Sequence, residues 1–540
     1  MRNFSIRTET LALIASVFFT VACNGAFLAA LMSHRPLPFF EQVWLVTVTA
    51  ILITGFQWLL LLLIMNRWTA KPVLILLALV TAPAVYYMTT YGIYIDRSMV
   101  QNVLETDWRE ATELFDWHLG LYFVIYGVIP AFLVWKVKIR RGTLLEAAKA
   151  RTVGIVAAVA LVGLGLWPAM DSLIPMMREH REARYLVTPS NVVVSTLRQG
   201  MGNQNTDENR PKTKVATDAV RVVHTTHQKP KAFVLVIGET VRARNWGLSG
   251  YERQTTPELA KLSVVNFQDV ASCGTDTATS LPCMLSMYGI RQYDEKKIRD
   301  SESILHVLNR VGVAVNWRDN QSGCKGTCSG LTFTDLSITK DPDLCPGPRC
   351  YDAVLLKDLK REIDTAKGDV LIVLHMLGNH GPAYYQRYPE AFRKFTPTCD
   401  TTDLSRCGYQ SLVNTYDNGI LYTDFVLSKV VSELKGIVSH ETGMLYVSDH
   451  GESLGEGNLY LHGMPYALAP KEQTRVPLVM WLSDLLMKSH DLSSSCLGAR
   501  SGNSASHDNI VHTLMGVFDV RSESYIKSLD LGRACTVALL

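Results

Sequence analysis

The chain has 540 residues, room for two or three domains, and carries 53 Lys and Arg against 50 Asp and Glu for a formal net charge of +3. A charge this close to balance gives no basic footprint, which excludes a nucleic-acid partner. Hydrophobic residues make up 48% of the chain, and they crowd into the first 170 residues, so the chain is not one uniform soluble globule.

In chain order, Leu11–Met32, Val43–Met65 and Pro72–Tyr91 are apolar and long enough to cross a bilayer. Leu119–Trp135 and Thr152–Ala169 are shorter but within the permitted range. No A-x-A-like site follows the first, which argues against a cleaved signal peptide. Arg2, Arg7, Arg67, Lys71 and the loop Lys136–Arg151 bring ten basic residues to one side, against three (Arg35, Arg97 and Arg109) in the short loops opposite. The positive-inside rule then puts the N-terminus in the cytoplasm and everything after Ala169 outside.

Between the third and fourth spans, Met99, Val103, Leu104, Trp108, Ala111 and Phe115 recur at helical spacing with acidic residues between them. This pattern predicts an amphipathic helix. It either lies at the outer membrane–water interface or packs on a soluble domain, and the two are compatible. Residues 171–230 read as a connector. Asp171–Arg184 is charged and suits a surface helix, and polar Gly200–Pro230 suits a flexible or extended linker.

Residues 231–540 alternate apolar runs with amphipathic stretches, the mark of an α/β domain. Strands are expected over 233–237, 312–317, 370–376, 443–448 and 476–482, with helices over Glu302–Val311, Cys350–Lys367, Gln410–Leu434 and His507–Val517. The cysteine-rich segments 319–350 and 396–408 read as loops. Phe233–Ile237, Val370–Leu377 and Met444–Val447 are apolar without alternation, as fully buried parallel strands are. Each runs into a polar stretch: GET with Glu239, GNHGP with His380, and SDHGES with Asp449, His450 and Glu452. Open α/β sheets carry their sites at that carboxyl edge.

Glu239, Asp449 and His450 offer two carboxylates and an imidazole, which with a fourth ligand suit tetrahedral Zn²⁺. Any one alone could be a satisfied loop residue, but agreement among strand ends favours a metal. His380 and His462, each followed by glycine, could hold a second metal or the leaving group, or be ordinary loop histidines. The fourth ligand should be the nucleophile, with Thr275, Thr277, Thr279 and Ser280 as candidates in SCGTDTATSLPC. A hydroxyl attacks at neutral pH only when a base or metal lowers its pKa. A helix starting here would aim N–H groups at a phosphate; the competing reading is that these hydroxyls cap it. Spacing does not separate the four. Ten of the eleven cysteines follow residue 270, mostly in close pairs. That reads as disulfides in an oxidising compartment, in agreement with the topology, and the absence of CxxC pairs argues against zinc cysteines.

Six ordered segments, GETVRARNWGLSGYERQTTP, SCGTDTATSLPCM, WRDNQSGCKG, GNHGPAYYQRYP, SDHGESLGE and LHGMPYALAPKEQTRVP, resemble the lipid A phosphoethanolamine transferases, which include the mobile colistin-resistance enzymes. The resemblance covers nearly the whole chain. It implies a multi-pass protein of the bacterial inner membrane, with a five-helix transmembrane bundle over 1–170, a periplasmic connector over 171–230 and a periplasmic catalytic domain over 231–540. That domain would be α/β and alkaline phosphatase/sulfatase-like, with a central, mostly parallel sheet. Thr277 would be the nucleophile, and Glu239, Thr277, Asp449 and His450 would bind one catalytic Zn²⁺. His380 and His462 would contact the phosphoryl group or a second zinc, with Lys325 and Glu452 nearby. Asn102, Thr106 and Glu110 match positions the family uses near the donor lipid. Five disulfides are implied, pairing Cys273 with Cys283, Cys324 with Cys328, Cys345 with Cys350, Cys399 with Cys407 and Cys496 with Cys535.

The implied reaction moves phosphoethanolamine from phosphatidylethanolamine to a lipid A phosphate, by a monomer, and confers resistance to cationic peptides such as polymyxin. The competing readings are a phosphoglycerol transferase, a transferase acting on another periplasmic glycan, and a sulfatase. The sulfatase lacks support because neither Cys273 nor Cys283 has the Pro and Arg of a C-x-P-x-R motif. A non-enzymatic scaffold would have lost a metal or nucleophile position, and none is lost.

Overall fold

The computed structural model describes residues 5–33, 38–106, 108–140, 142–179, 181–202, 211–222 and 229–536. Of the residues used above, Arg2, Arg35 and Arg141 lie outside these, as do 203–210 and 223–228 of the expected linker. The chain divides into two compact units, Met1–Leu104 with Phe115–Gln204, and Glu105–Leu114 with Asn205–Leu540.

In the first unit, four helical runs among the described residues are long and apolar enough to cross a membrane: Phe39–Ile64, Ala70–Tyr91, Trp117–Lys136 and Leu144–Met170. The expected first span, 11–32, is instead a bent pair, Thr8–Cys23 and Gly25–Met32, meeting at 54°, and it makes a fifth span only if counted as one. The break falls at Asn24, which is fully buried. Its amide donates to the carbonyls of Phe19 and Thr188 at 2.9 and 2.8 Å, and its oxygen accepts from the Thr188 N–H at 3.0 Å. The side chain thus ties the break to the backbone of Thr188. The expected span 152–169 and the expected surface helix 171–184 form one element, Leu144–Glu179, followed by a 3₁₀ turn over Arg181–Leu186. This long helix meets Phe39–Ile64 through small residues. A Cβ on Gly165 would stand 2.7 Å from Leu52, and one on Gly55 3.0 Å from Leu161. Close backbone approach of this kind is how helices associate in lipid.

The second unit is built on a seven-stranded sheet: β1 (Lys231–Gly238), β2 (Val265–Phe267), β3 (Ala314–Asp319), β4 (Thr332–Asp335), β5 (Val370–His375), β6 (Glu441–Ser448) and β7 (Leu478–Leu482). Their spatial order is β2-β7-β6-β1-β5-β3-β4. The five strands from β6 to β4 are parallel, and β7 and β2 join antiparallel at one edge. Strands β1, β5 and β6 are buried at every residue, because helices cover both faces of such a sheet. Strand β4 lies within 319–350, which reads as loop in the sequence. It is an exposed edge strand with no apolar run to mark it, formed by pairing with Asn316–Asp319.

The expected helix 350–367 is split into a 3₁₀ turn, Asp352–Leu356, and a helix, Leu359–Thr365, at Asp358 with φ +61°. The cause is at its start, where the Asp352 carboxylate accepts the N–H groups of Leu377 and Gly378 at 2.7 and 2.8 Å and ties the turn to the sheet edge. Part of the expected linker is folded: Val220–Arg221 pairs with Val520–Arg521. The single amphipathic helix expected over 99–115 is two, Arg97–Glu105 and Trp108–Glu113, and Glu105–Leu114 belongs to the second unit. Five disulfides join 273–283, 324–328, 345–350, 399–407 and 496–535.

Candidate active site

Strands β6, β1 and β5 lie side by side, so their carboxyl ends deliver Ser448, Gly238 and His375 to one edge. The chain turns sharply there. Gly238 has no room for a side chain, since a Cβ would stand 2.6 Å from the Tyr446 hydroxyl. Gly378 has φ +53°, and a Cβ on it would stand 2.5 Å from the Glu239 carbonyl. That carbonyl accepts the Asn379 N–H at 3.0 Å, while the Asp449 N–H reaches Gly238 O at the same distance. Glu239, Asp449 and His450 are thereby brought together, each 0% exposed.

Thr277 is the first residue of the helix Thr277–Met284, which is capped by the Asp276 carboxylate accepting the Thr279 N–H at 2.9 Å. Its hydroxyl donates to Glu239 Oε2 at 3.0 Å and stands 3.4 Å from His450 Nε2. The Thr275 hydroxyl donates to Met464 O and that of Ser280 to Asp449 O. Of these three hydroxyls, that of Thr277 is the one turned to the carboxylates and imidazole.

Glu239 Oε1 and Asp449 Oδ2 are buried with no hydrogen-bond donor among the described residues, and they lie 3.4 and 3.3 Å from His450 Nε2. Orphaned buried carboxylate oxygens are costly unless something positive sits between them. One donor atom from each of Glu239, Asp449 and His450 lies within 4.8 Å of the others. The electrostatics point the same way. Burial, with the Glu239 charge beside it, pushes Asp449 up to about 6. Burial alone would raise Glu239, but His450 outweighs it and holds the carboxyl well below its usual range. Burial alone would lower His450, but Asp449 and Glu239 lift it to about 10. Two carboxylates in so dry a place need compensating charge, and a proton on His450 or a bound cation would provide it. The His450 Nδ1 faces Gly451 O at 2.9 Å, leaving Nε2 as the ligand nitrogen. The donor set fits Zn²⁺.

Next to it, His450, Glu452 and His462 form a second such group. His462 Nδ1 lies 2.7 Å from Glu452 Oε2, and the Tyr384 hydroxyl donates to the other oxygen of Glu452. The His462 ring is 4.3 Å from that of His450 and 5.8 Å from that of His380. Lys325 lines a polar cavity of about 870 Å³ with Lys212, Arg299 and Ser286. Asn102 lies in the first unit and Thr106 in the second, while the side chain of Glu110 lies outside the described residues.

Sequence reasoning missed several neighbours. Gln321 donates to Glu239 Oε2 at 3.2 Å. Asp319 and His375, register partners at the ends of β3 and β5, are bonded at 2.8 Å. Tyr384 orients Glu452. Asp319, Gln321 and Tyr384 fall inside the quoted motifs, but a motif does not say which way a loop turns each side chain.

Comparison with known proteins places the whole chain in a family. The family model described as Sulfatase matches residues 231–520, and the one described as Phosphoethanolamine transferase EptA/EptB matches residues 53–201. The chain is 36% identical over 530 residues to the phosphoethanolamine transferase EptA of Escherichia coli K12, covering 97% of this chain and 96% of that one. It is 36% identical over 531 residues to the phosphatidylethanolamine transferase Mcr-1 of Escherichia coli, covering 96% of each. The integral membrane lipooligosaccharide phosphoethanolamine transferase A of Neisseria meningitidis superposes with a TM-score of 0.94 at 34% identity, over 98% of this chain and 99% of that one.

Proposed function

Because the chain belongs to the phosphoethanolamine transferase family, we propose that it moves phosphoethanolamine from phosphatidylethanolamine to a lipid A phosphate through a phosphothreonine intermediate on Thr277. It is an integral protein of the inner membrane with its catalytic unit in the periplasm. The observation that carries the reading is the Thr277 hydroxyl, at a helix N-terminus, 3.0 Å from Glu239 and 3.4 Å from His450.

Glu239, Thr277, Asp449 and His450 would hold Zn²⁺, which when bound lowers the pKa of a coordinated hydroxyl and offsets charge on a transferring phosphoryl group. The rest is the work of this chain. Glu239 Oε2 already accepts the Thr277 proton in a hydrogen bond, so it orients the oxygen, and with a cation in place of the His450 proton that holds its carboxyl down it would take that proton. The Thr277 oxygen attacks phosphorus, the bond from phosphorus to the diacylglycerol oxygen breaks, and that oxygen takes a proton. His462 gives it, with its ring held by Glu452 at Nδ1 at 2.7 Å. His380, its ring 5.8 Å from that of His462, contacts the phosphoryl oxygens. Alternatively, His380 and His462 take a second zinc. N–H groups at the start of helix Thr277–Met284 favour an anion at the same oxygen. In the second half-reaction a lipid A phosphate oxygen attacks the phosphothreonine, and Thr277 leaves with its proton restored, giving ping-pong kinetics. The product gains an ammonium group, which lowers the negative charge that attracts cationic peptides such as polymyxin.

Intact-mass analysis of the purified protein beside Thr277→Ala, after incubation with phosphatidylethanolamine, tests this. The expected result is an added phosphoethanolamine on the wild type alone, with lipid A transfer by the variant reduced roughly 10³-fold or more. An adduct on both proteins would remove Thr277 as nucleophile. An adduct from phosphatidylglycerol and none from phosphatidylethanolamine would make the protein a phosphoglycerol transferase.

A further inference from the structure

The stretch Glu105–Leu114 interrupts the first unit in sequence yet folds with the second. It is held there at three points. At one end, Glu105 Oε1 lies 3.6 Å from the Arg299 guanidinium. In the middle, Arg109 donates to Ser337 O at 3.0 Å. At the other end, Glu113 makes a two-pronged pair with Arg387, one contact at 3.2 Å, and a third contact with Arg349 at 3.4 Å. Side chains of Glu113, Arg387 and Arg349 are 8%, 0% and 6% exposed, too buried to be a solvated surface pair, which would contribute little.

Both end arginines have a second task. Arg299 also donates to the carbonyl of Ala278 at 2.8 Å, the residue after Thr277. Arg387 donates through Nε to the carbonyl of His380 at 2.6 Å. Each guanidinium is therefore shared between an acid of the stretch and a backbone carbonyl at the reaction centre. For Arg387 the planar fork ties the two together in fixed geometry; Arg299 is held more loosely, 3.6 Å from Glu105 and equally 3.6 Å from Glu295. We propose that Glu105–Leu114 is a strap whose two ends, through Arg299 and Arg387, set the positions of the Thr277 helix start and of His380. Glu105, Glu113, Arg299 and Arg387 are then positioning residues. The inference rests on the reading of Thr277 and His380 given above, but its structural half does not need that reading.

The test uses full-length protein in detergent with Glu113→Gln, Glu105→Gln and Arg299→Lys. The first readout is amide hydrogen exchange over 277–284 and 378–382. The strap predicts exchange about threefold faster or more at the second segment in Glu113→Gln and at the first in the other two. The second readout is the kcat and KM split with phosphatidylethanolamine and with a small water-soluble donor, 4-nitrophenyl phosphoethanolamine. The expected result is a fall in kcat of about tenfold with both donors at nearly constant KM for the soluble one, since a small misplacement of reacting groups has large effects. Unchanged exchange with unchanged kcat overturns the strap. So does a raised KM for the lipid alone, which would make the stretch a lipid-contact surface only. Faster exchange in a protein whose wild type transfers nothing from either donor keeps the strap and rejects the reaction. If Glu113→Gln fails to fold, Arg349→Gln, which removes the 3.4 Å contact to Glu113, tests that end, and Glu105→Gln, where the side chain is 30% exposed, tests the other.

Discussion

Strand β1 and the span Trp117–Lys136 are both strongly apolar, and the protein treats them in opposite ways. Every residue of β1 is buried, whereas only 6% of the apolar window in Trp117–Lys136 is covered by the protein, with Phe132, Leu133 and Trp135 all more than half exposed. The difference is one of solvent. Facing water, an apolar residue gains by being covered. Facing lipid tails, it gains nothing from a protein neighbour, and cohesion rests on close packing at glycines such as Gly165 against Leu52. Precision follows the same division: the second unit holds its site residues from several sides, so loss of one atom there should be felt.

The sharpest way to test that contrast is at the site itself. Asp449→Asn removes a charge from a buried ligand group, and transfer should fall about 10²-fold or more, with zinc content per chain falling in parallel. Full activity with full zinc would show the edge to be less exacting than described. Core packing comes next. Leu235 in β1 is 0% exposed, and Leu235→Ala should destabilise the second unit by about 2–5 kcal/mol. Leu133→Ala, at a lipid-facing position 59% exposed, should stay within about 0.5 kcal/mol. Equal losses in thermal melts in detergent would break the comparison.

A smaller effect concerns pH. His512 is 4% exposed, accepts the Ile526 N–H on Nδ1 at 3.2 Å, and is pushed down to about 4 by burial and by Arg291. Its ordinary value is 6.5, so below that pH the unfolded chain takes a proton that the folded chain refuses. The stability it contributes is present above pH 6.5 and is lost as pH falls toward 4, at about 1.4 kcal/mol per unit at most. His512→Gln should flatten the melting temperature over that window by about one proton's worth. An unchanged slope would mean the ring titrates normally.

How much of this was legible in the chain depended on whether the signal was local. The runs Phe233–Ile237, Val370–Leu377 and Met444–Val447 announce buried strands, and the polar residues that follow them mark the site edge. The selection of Thr277 over Thr275 and Ser280 was not readable from spacing. It depends on which hydroxyl finds Glu239 and which finds Met464 O or Asp449 O, and those acceptors arrive from other strands. Asn24 reads as one polar residue in an apolar span, and only its bonds to Thr188, 164 residues away, explain the bend. Strand β4 has no pattern of its own and exists through its neighbour. Glu105–Leu114 carries a helical stripe that suits a membrane surface or a protein face equally, and its ion pairs with Arg387 and Arg349 are long-range facts.

The disulfide 273–283 closes a small ring around Thr277, with its two sulfurs only 10 residues apart in sequence. A thiol-rich cytoplasm would keep that ring open, leaving the hydroxyl on a loop whose ends are free to part. On the proposed reading of Thr277 as nucleophile, the chain would stay inactive until its catalytic unit reaches the oxidising side. Cells deprived of their periplasmic thiol oxidant should accumulate the protein with markedly less phosphoethanolamine on Thr277. Equal adduct in such cells would mean that the helix cap and the sheet edge hold the nucleophile without the ring.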